Sequence, residues 1–166
     1  MKRLIAIIAV LFFSSASCLG GPAPRPSQGD DRGHPVLQLG SNKIEVDHGR
    51  PTLRGRKPEA MIQPGQVWRM GSNTPTTLST QSGLKFREKV IPAGKYILQA
   101  KLIEPQKWML LISSESGSVI AEVPFNLQKI DKSVELLTIT LEKKDKGGRL
   151  ILQWGTLALA ADFQPS

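Results

Sequence analysis

Residues 84–113 read LKFREKVIPAGKYILQAKLIEPQKWMLLIS. Two β-prone runs, 84–90 and 95–103, flank Pro92-Ala93-Gly94, and that break reads as a hairpin connection. In the second run Tyr96, Leu98, Ala100 and Leu102 share one face, the period of a strand with one buried side. The run at 107–113, KWMLLIS, is apolar on both faces, as a central strand requires.

The same pattern extends in both directions. Residues 118–125 come after a Ser-Gly turn, and Pro124 should end that strand or mark a sheet edge. Residues 134–142, VELLTITLE, place Leu137, Ile139 and Leu141 on one face. A charged turn, KKDKGG at 143–148, leads into strands at 149–154 and 156–163, with Gly155 as the bend between them. Towards the N-terminus, 76–80 is β-prone after Pro75. At 43–47 Ile44 and Val46 alternate with Lys43, Glu45 and Asp47. Only 125–134 has the character of one helical turn. Short strands at regular spacing, with no amphipathic helix, predict an all-β fold. It is a single antiparallel β-sandwich or flattened barrel of about eight or nine strands, spanning residues 36–166.

The residues before this domain read differently. Residues 1–18 have the three parts of a secretory signal: Lys2-Arg3, the apolar run LIAIIAVLFF at 4–13, and the small residues SSASC. The run is too short to span a bilayer, which takes about 20 apolar residues. Ser15-Ala16-Ser17-Cys18 is similar to a bacterial lipoprotein box, with Ser15 where Leu is usual, so Cys18 is the candidate lipidation site. The other reading is cleavage between Ser17 and Gly21. Residues 19–35 are rich in Gly and Pro and read as a flexible linker, with His34 solvated in it. The expected location is the periplasm or the cell surface, with membrane contact only through a lipid on Cys18.

The net charge is +8, and +6 without Lys2 and Arg3. That balance favours an anionic partner, or simply keeps an exported domain soluble. Cys18 is the one cysteine, so the domain has neither a disulfide framework nor a thiolate metal site. There is no G-x-S-x-G, H-E-x-x-H, P-loop or G-x-G-x-x-G pattern. No metal or cofactor is expected. His48 is the one histidine available for acid–base chemistry. Asp47 adjoins it, but neighbours on a strand point to opposite faces. A hydrolase using Asp47 and His48 is therefore the alternative reading, not the first.

The candidate ligand-binding residues are Arg50, Arg54, Arg56, Trp68, Arg69 and Asn73. Arg54 and Arg56 are two apart, so in an extended segment they face one side. Guanidinium groups bind carboxylates and phosphates through paired hydrogen bonds. The bland reading is that these arginines pair with Glu45, Asp47 or Glu59, or tie loop carbonyls. Trp68 is either core or a stacking platform for a ring, and Gly71-Ser72-Asn73 reads as a turn. One tryptophan in this stretch is too few for single-stranded nucleic acid, and export also argues against that partner.

Several pieces carry a family likeness: His48-Gly49-Arg50-Pro51, Arg54-Gly55-Arg56, QPGQVWRMGSN at 63–73, Thr76-Thr77, Pro92-Ala93-Gly94-Lys95-Tyr96 and Leu152-Gln153-Trp154. Over residues 43–163 the chain resembles the bacterial exported family catalogued as domain of unknown function 2911. His48 stands where that family usually has Tyr, and Ser72 where it has Ala. The resemblance implies an all-β exported domain and no established activity. The first functional expectation is thus a non-catalytic envelope domain binding a small anionic or glycan-like ligand through the arginine cluster. A structural or protein-partner domain of the envelope is the remaining alternative.

Overall fold

The computed structural model describes residues 31–166. The signal segment, Cys18 and residues 19–30 of the linker lie outside the described residues. Among the described residues thirteen strands form one sheet: β1 (Arg32–Gly33), β2 (Val36–Leu39), β3 (Asn42–Gly49), β4 (Val67–Trp68), β5 (Thr77–Thr80), β6 (Leu84–Phe86), β7 (Lys89–Ile91), β8 (Gly94–Glu104), β9 (Lys107–Ser113), β10 (Val119–Leu127), β11 (Val134–Lys144), β12 (Gly147–Gly155) and β13 (Leu157–Pro165). The one helix among the described residues is the single turn α1 (Pro58–Met61). The expected turn at 125–134 does not form. Residues 119–127 continue as strand, and residues 128–133 are loop.

The strands run in the order β1-β3-β5-β8-β9-β10-β13-β12-β11, every pair antiparallel, and the sheet curls until its ends nearly meet. The chain beyond β3 completes the ring. Leu53 N–H donates to Glu135 O at 2.8 Å and Leu137 N–H to Pro51 O at 3.0 Å, with a bridge between Thr52 and Leu136. Leu37 and Leu39 of β2 pack on the core beside this seam. The flattened-barrel form of the expected fold is the one observed. Closing the sheet satisfies edge N–H and C=O groups that an open edge would expose.

Strand alternation decides what fills the interior. Ile44, Val46 and His48 of β3 point inward with Tyr96, Leu98, Ala100 and Leu102 of β8, and all are buried. In β9 Leu110, Leu111 and Ile112 are all buried, because the strand lies between β8 and β10. Phe86 and Phe163 meet at 5.4 Å between ring centres and fill the other end of the core.

Three local expectations need correction. Pro92-Ala93-Gly94 is a corner, not a hairpin loop. β7 folds back on β6, whereas β8 pairs with β5 and β9. The Tyr96 hydroxyl fixes the corner by donating to Pro92 O at 2.8 Å. The run at 84–90 is split because Arg87 adopts φ 52° and reverses the chain. Finally, strand pairing begins inside the segment read as linker. Arg32 and Gly33 pair with Gly49 and His48, and Gly33 packs so closely on the imidazole that a Cβ there would overlap it. Pro124 does mark an edge. It faces Met109 of β9 on one side, and β13 joins β10 on the other only from Asn126 onward.

Candidate functional site

The end of β3 and the loop after β4 build one cleft of about 640 Å³ on the seam of the barrel. Arg50, Arg56, Trp68, Arg69 and Asn73 all line it. They are five of the six residues singled out from sequence. Arg54 is the exception. It and Gly55 have φ 51° and 74°, so the segment is a turn, and the two-residue spacing to Arg56 no longer means a shared face. Arg54 contributes its backbone N–H to Glu135 Oε1 at 2.9 Å, and it does not line the cleft.

Each cleft arginine is braced from behind. Arg56 donates from Nε to Leu53 O at 2.9 Å and from Nη2 to Thr52 O at 3.1 Å. Arg69 donates from Nη1 to Asn73 O at 3.2 Å. Arg50 Nη1 lies 3.6 Å from Asp31 Oδ1, and its backbone N–H is held by Asp31 O at 2.9 Å. None of the three pairs with Glu45, Asp47 or Glu59. Lys43 takes Glu45, Arg32 takes Asp47, and the Thr156 hydroxyl donates to Glu59. Among the described residues Asp31 is the one acidic group on the cleft wall, so the wall carries a net positive charge.

The floor is aromatic. Trp68 and Trp154 stack with ring centres 5.8 Å apart and planes 12° from parallel. Trp154 is buried, and Trp68 remains half-exposed. The indole Nε1–H of Trp154 is buried with no hydrogen-bond partner. Such orphan donors are uncommon and call for an explanation. Trp154 belongs to the site but is not among the residues that the sequence singles out for binding. Its signal is the closing Leu-Gln-Trp piece, whose place opposite Trp68 depends on barrel closure.

The loop at 69–73 is held rigidly. Met70 and Asn73 sit in the left-handed region at φ 56° and 60°, and Met70 is fully buried there. Strain of this kind persists only where the surroundings enforce it. The Thr76 hydroxyl donates to Met70 O at 3.0 Å. Gly49 lies flat under Ser72, where a Cβ would strike the Ser72 carbonyl oxygen. The arginine and tryptophan positions are therefore preset.

The Asp47 and His48 pair is split between two environments. Asp47 faces outward to Arg32 Nε at 2.7 Å and to His34 Nδ1 at 3.5 Å. Partial burial pushes its carboxyl up, but the hydrogen bond and charge of Arg32 outweigh this and hold it below the usual range. His48 faces inward, 1% exposed, and accepts the Ile139 N–H at Nε2, 3.1 Å away. Burial, then the charges of Arg50 and Arg32, lower its pKa to about 4. Its Nδ1 must carry the proton in the neutral ring, and that N–H is also buried without a partner. The two side chains do not form a base and its orienting acid in one pocket. Among the described residues no three His, Cys, Asp or Glu side chains come together as a metal site. No helix among them is long and apolar enough to cross a membrane.

No curated protein matches the chain, and no solved structure matches it. The model of one family does match, over residues 33–163, which takes in every strand from β2 to β12 and all the cleft arginines. On that match, the chain belongs to the family described as protein of unknown function (DUF2911).

Proposed function

We propose that this protein is a non-catalytic binding module of the cell envelope, exported by its N-terminal leader, whose cleft takes a small anionic or glycan-like ligand. The observation that carries the reading is convergence. Arg50, Arg56 and Arg69, from two neighbouring loops, line one open cleft beside a tryptophan pair whose second member, Trp154, comes from far along the chain. Its size lies within the range of small-molecule sites, roughly 300–1,000 Å³. Guanidinium groups supply charge and direction for carboxylate or phosphate oxygens. The exposed face of Trp68 supplies a platform for a ring. The leader and Cys18 fit a domain held at the periplasmic or outer surface, where nucleic acid is not the partner.

Thermal unfolding of the purified protein against a panel of anions, glycans, metals and peptides tests this. A ligand at about 100 times its dissociation constant adds roughly 2.7 kcal/mol of stability, a shift of several degrees. The shift should vanish in Arg69→Ala and survive in Arg54→Ala, because Arg54 stands outside the cleft. If no compound moves the midpoint, or if both variants respond like wild type, the cleft is not a binding site.

A further inference from the structure

The hydrogen-bonding character of the cleft narrows the ligand class. Resting on the proposed binding function, we propose that the group the cleft recognises is an oxyanion, a carboxylate or phosphate, carried on a ring that lies on Trp68, and that neutral sugars are excluded.

The wall is rich in cationic donors, and several of its carbonyls already serve to hold them. The carbonyls of Thr52, Leu53 and Asn73 are each engaged by a cleft arginine, and the Met70 carbonyl by Thr76. Asp31, the one carboxylate on the described wall, faces Arg50. Thr52, Ser72 and Asn73 add neutral side chains to the wall, so its excess is one of charge, three guanidinium groups against one carboxylate. A neutral sugar hydroxyl brings no charge to offset that excess. A carboxylate or phosphate only accepts, which is what this surplus of donors requires.

Asp31 adds a signature with a definite sign. Its carboxylate already occupies part of the field of Arg50, so it competes with an incoming oxyanion and repels it. Neutralising Asp31 should therefore tighten an oxyanion ligand and leave a neutral one unaffected. The Asp31 backbone carbonyl, which holds Arg50 N–H, is unchanged by that substitution.

The experiment is a titration of the full protein, read by tryptophan fluorescence and calorimetry. The probes are a uronate disaccharide, glucose 6-phosphate, inorganic phosphate and neutral cellobiose, each up to millimolar concentration. The uronate, the sugar phosphate or both should bind, with cellobiose undetected. Which of the two binds more tightly tells carboxylate from phosphate, and inorganic phosphate alone reports the part played by the ring. Arg56→Ala removes one guanidinium from the wall, so it should weaken the acidic probe about tenfold. Asp31→Asn should tighten it about threefold. If cellobiose binds as well as the acidic sugars, the oxyanion assignment falls while the cleft remains a binding site. The same holds if Asp31→Asn weakens the acidic probe. If no probe binds and neither variant changes that, the assignment and the binding reading fall together.

Discussion

Lowering the pH from 7 to 5 should destabilise this protein through one side chain, His48. The imidazole is buried beside the barrel seam, and its Nε2 must be unprotonated to accept the Ile139 N–H. Burial, followed by the nearby charges of Arg50 and Arg32, lowers its pKa from 6.5 to about 4. The folded state therefore refuses a proton that the unfolded chain accepts once the pH falls below the unfolded value. Stability from this group is complete above that value and is lost as the pH falls towards 4. Linkage gives a loss of about 2 kcal/mol between pH 7 and pH 5, and about 3 kcal/mol by pH 4. For a domain of this size the first figure is a fall in melting temperature of about 8 °C.

The assay is urea unfolding at pH 7, 6 and 5, followed by tryptophan fluorescence, on wild type, His48→Gln and His34→Gln. Carboxylates do not obscure the window. Asp47 and Asp162 both have lowered pKa values, and their unfolded reference, 3.8, lies more than a unit below pH 5. Wild type and His34→Gln should lose about 2 kcal/mol across the range. His48→Gln, whose amide oxygen can accept the Ile139 N–H without titrating, should be flat. A flat wild type, or a fall that persists in His48→Gln, would refute the account of His48 as a neutral seam residue.

Other substitutions test the supports of the site and of the fold. Gly49→Ala pushes a methyl group against the Ser72 carbonyl, so it should shift the 69–73 loop and abolish ligand-induced stabilisation before it unfolds the barrel; ligand titration beside thermal melting separates the two effects. Tyr96→Phe removes the bond to Pro92 O and should lower stability by about 1 kcal/mol with the cleft intact, which chemical denaturation will read. Arg149→Ala breaks an exposed contact with Asp162, made at 2.5 and 3.0 Å, that Lys144 also shares. The loss should be at most about 1 kcal/mol and should shrink in high salt. Leu98→Ala empties a fully buried position in β8 and should cost roughly 2–5 kcal/mol.

Much of the barrel can be read from alternation, because a strand with one buried face writes its orientation into every second residue. The inward set of β3 and β8 and the doubly apolar β9 are visible that way. What alternation cannot show is where the chain turns without a turn residue. Arg87 reverses the chain at φ 52° with no Gly, Asn or Pro to announce it, so β6 and β7 read as one strand. Nor can it show a two-residue strand such as β1, which exists because Gly33 fits over the His48 ring. In the site, the residue types are legible and their grouping only partly so. A shared side for Arg54 and Arg56 presumes extended backbone, and the turn at Arg54 and Gly55 removes that premise. Trp154 joins the cleft only when the ends of the sheet meet, and Asp31 only when β1 pairs with β3, and no local window shows either.

The site and the seam share one short stretch of chain, and this couples them. Along β3 and just beyond it, His48 points in and holds β11 through Ile139, Gly49 lies flat beneath Ser72, and Arg50 reaches into the cleft. The next residues, Pro51 to Leu53, bond to β11, and the carbonyls of Thr52 and Leu53 brace Arg56. A barrel seam is where strand register is least enforced by neighbours, so its geometry depends on these few contacts. An arginine cleft built on such a seam stays preset only while His48 is neutral and the seam is shut. Ligand affinity should therefore fall with pH in parallel with the loss of seam stability, and His48→Gln should make both insensitive to pH in the same range. If affinity changes with pH in that variant, the titrating group belongs to the ligand, and the seam and the cleft are independent.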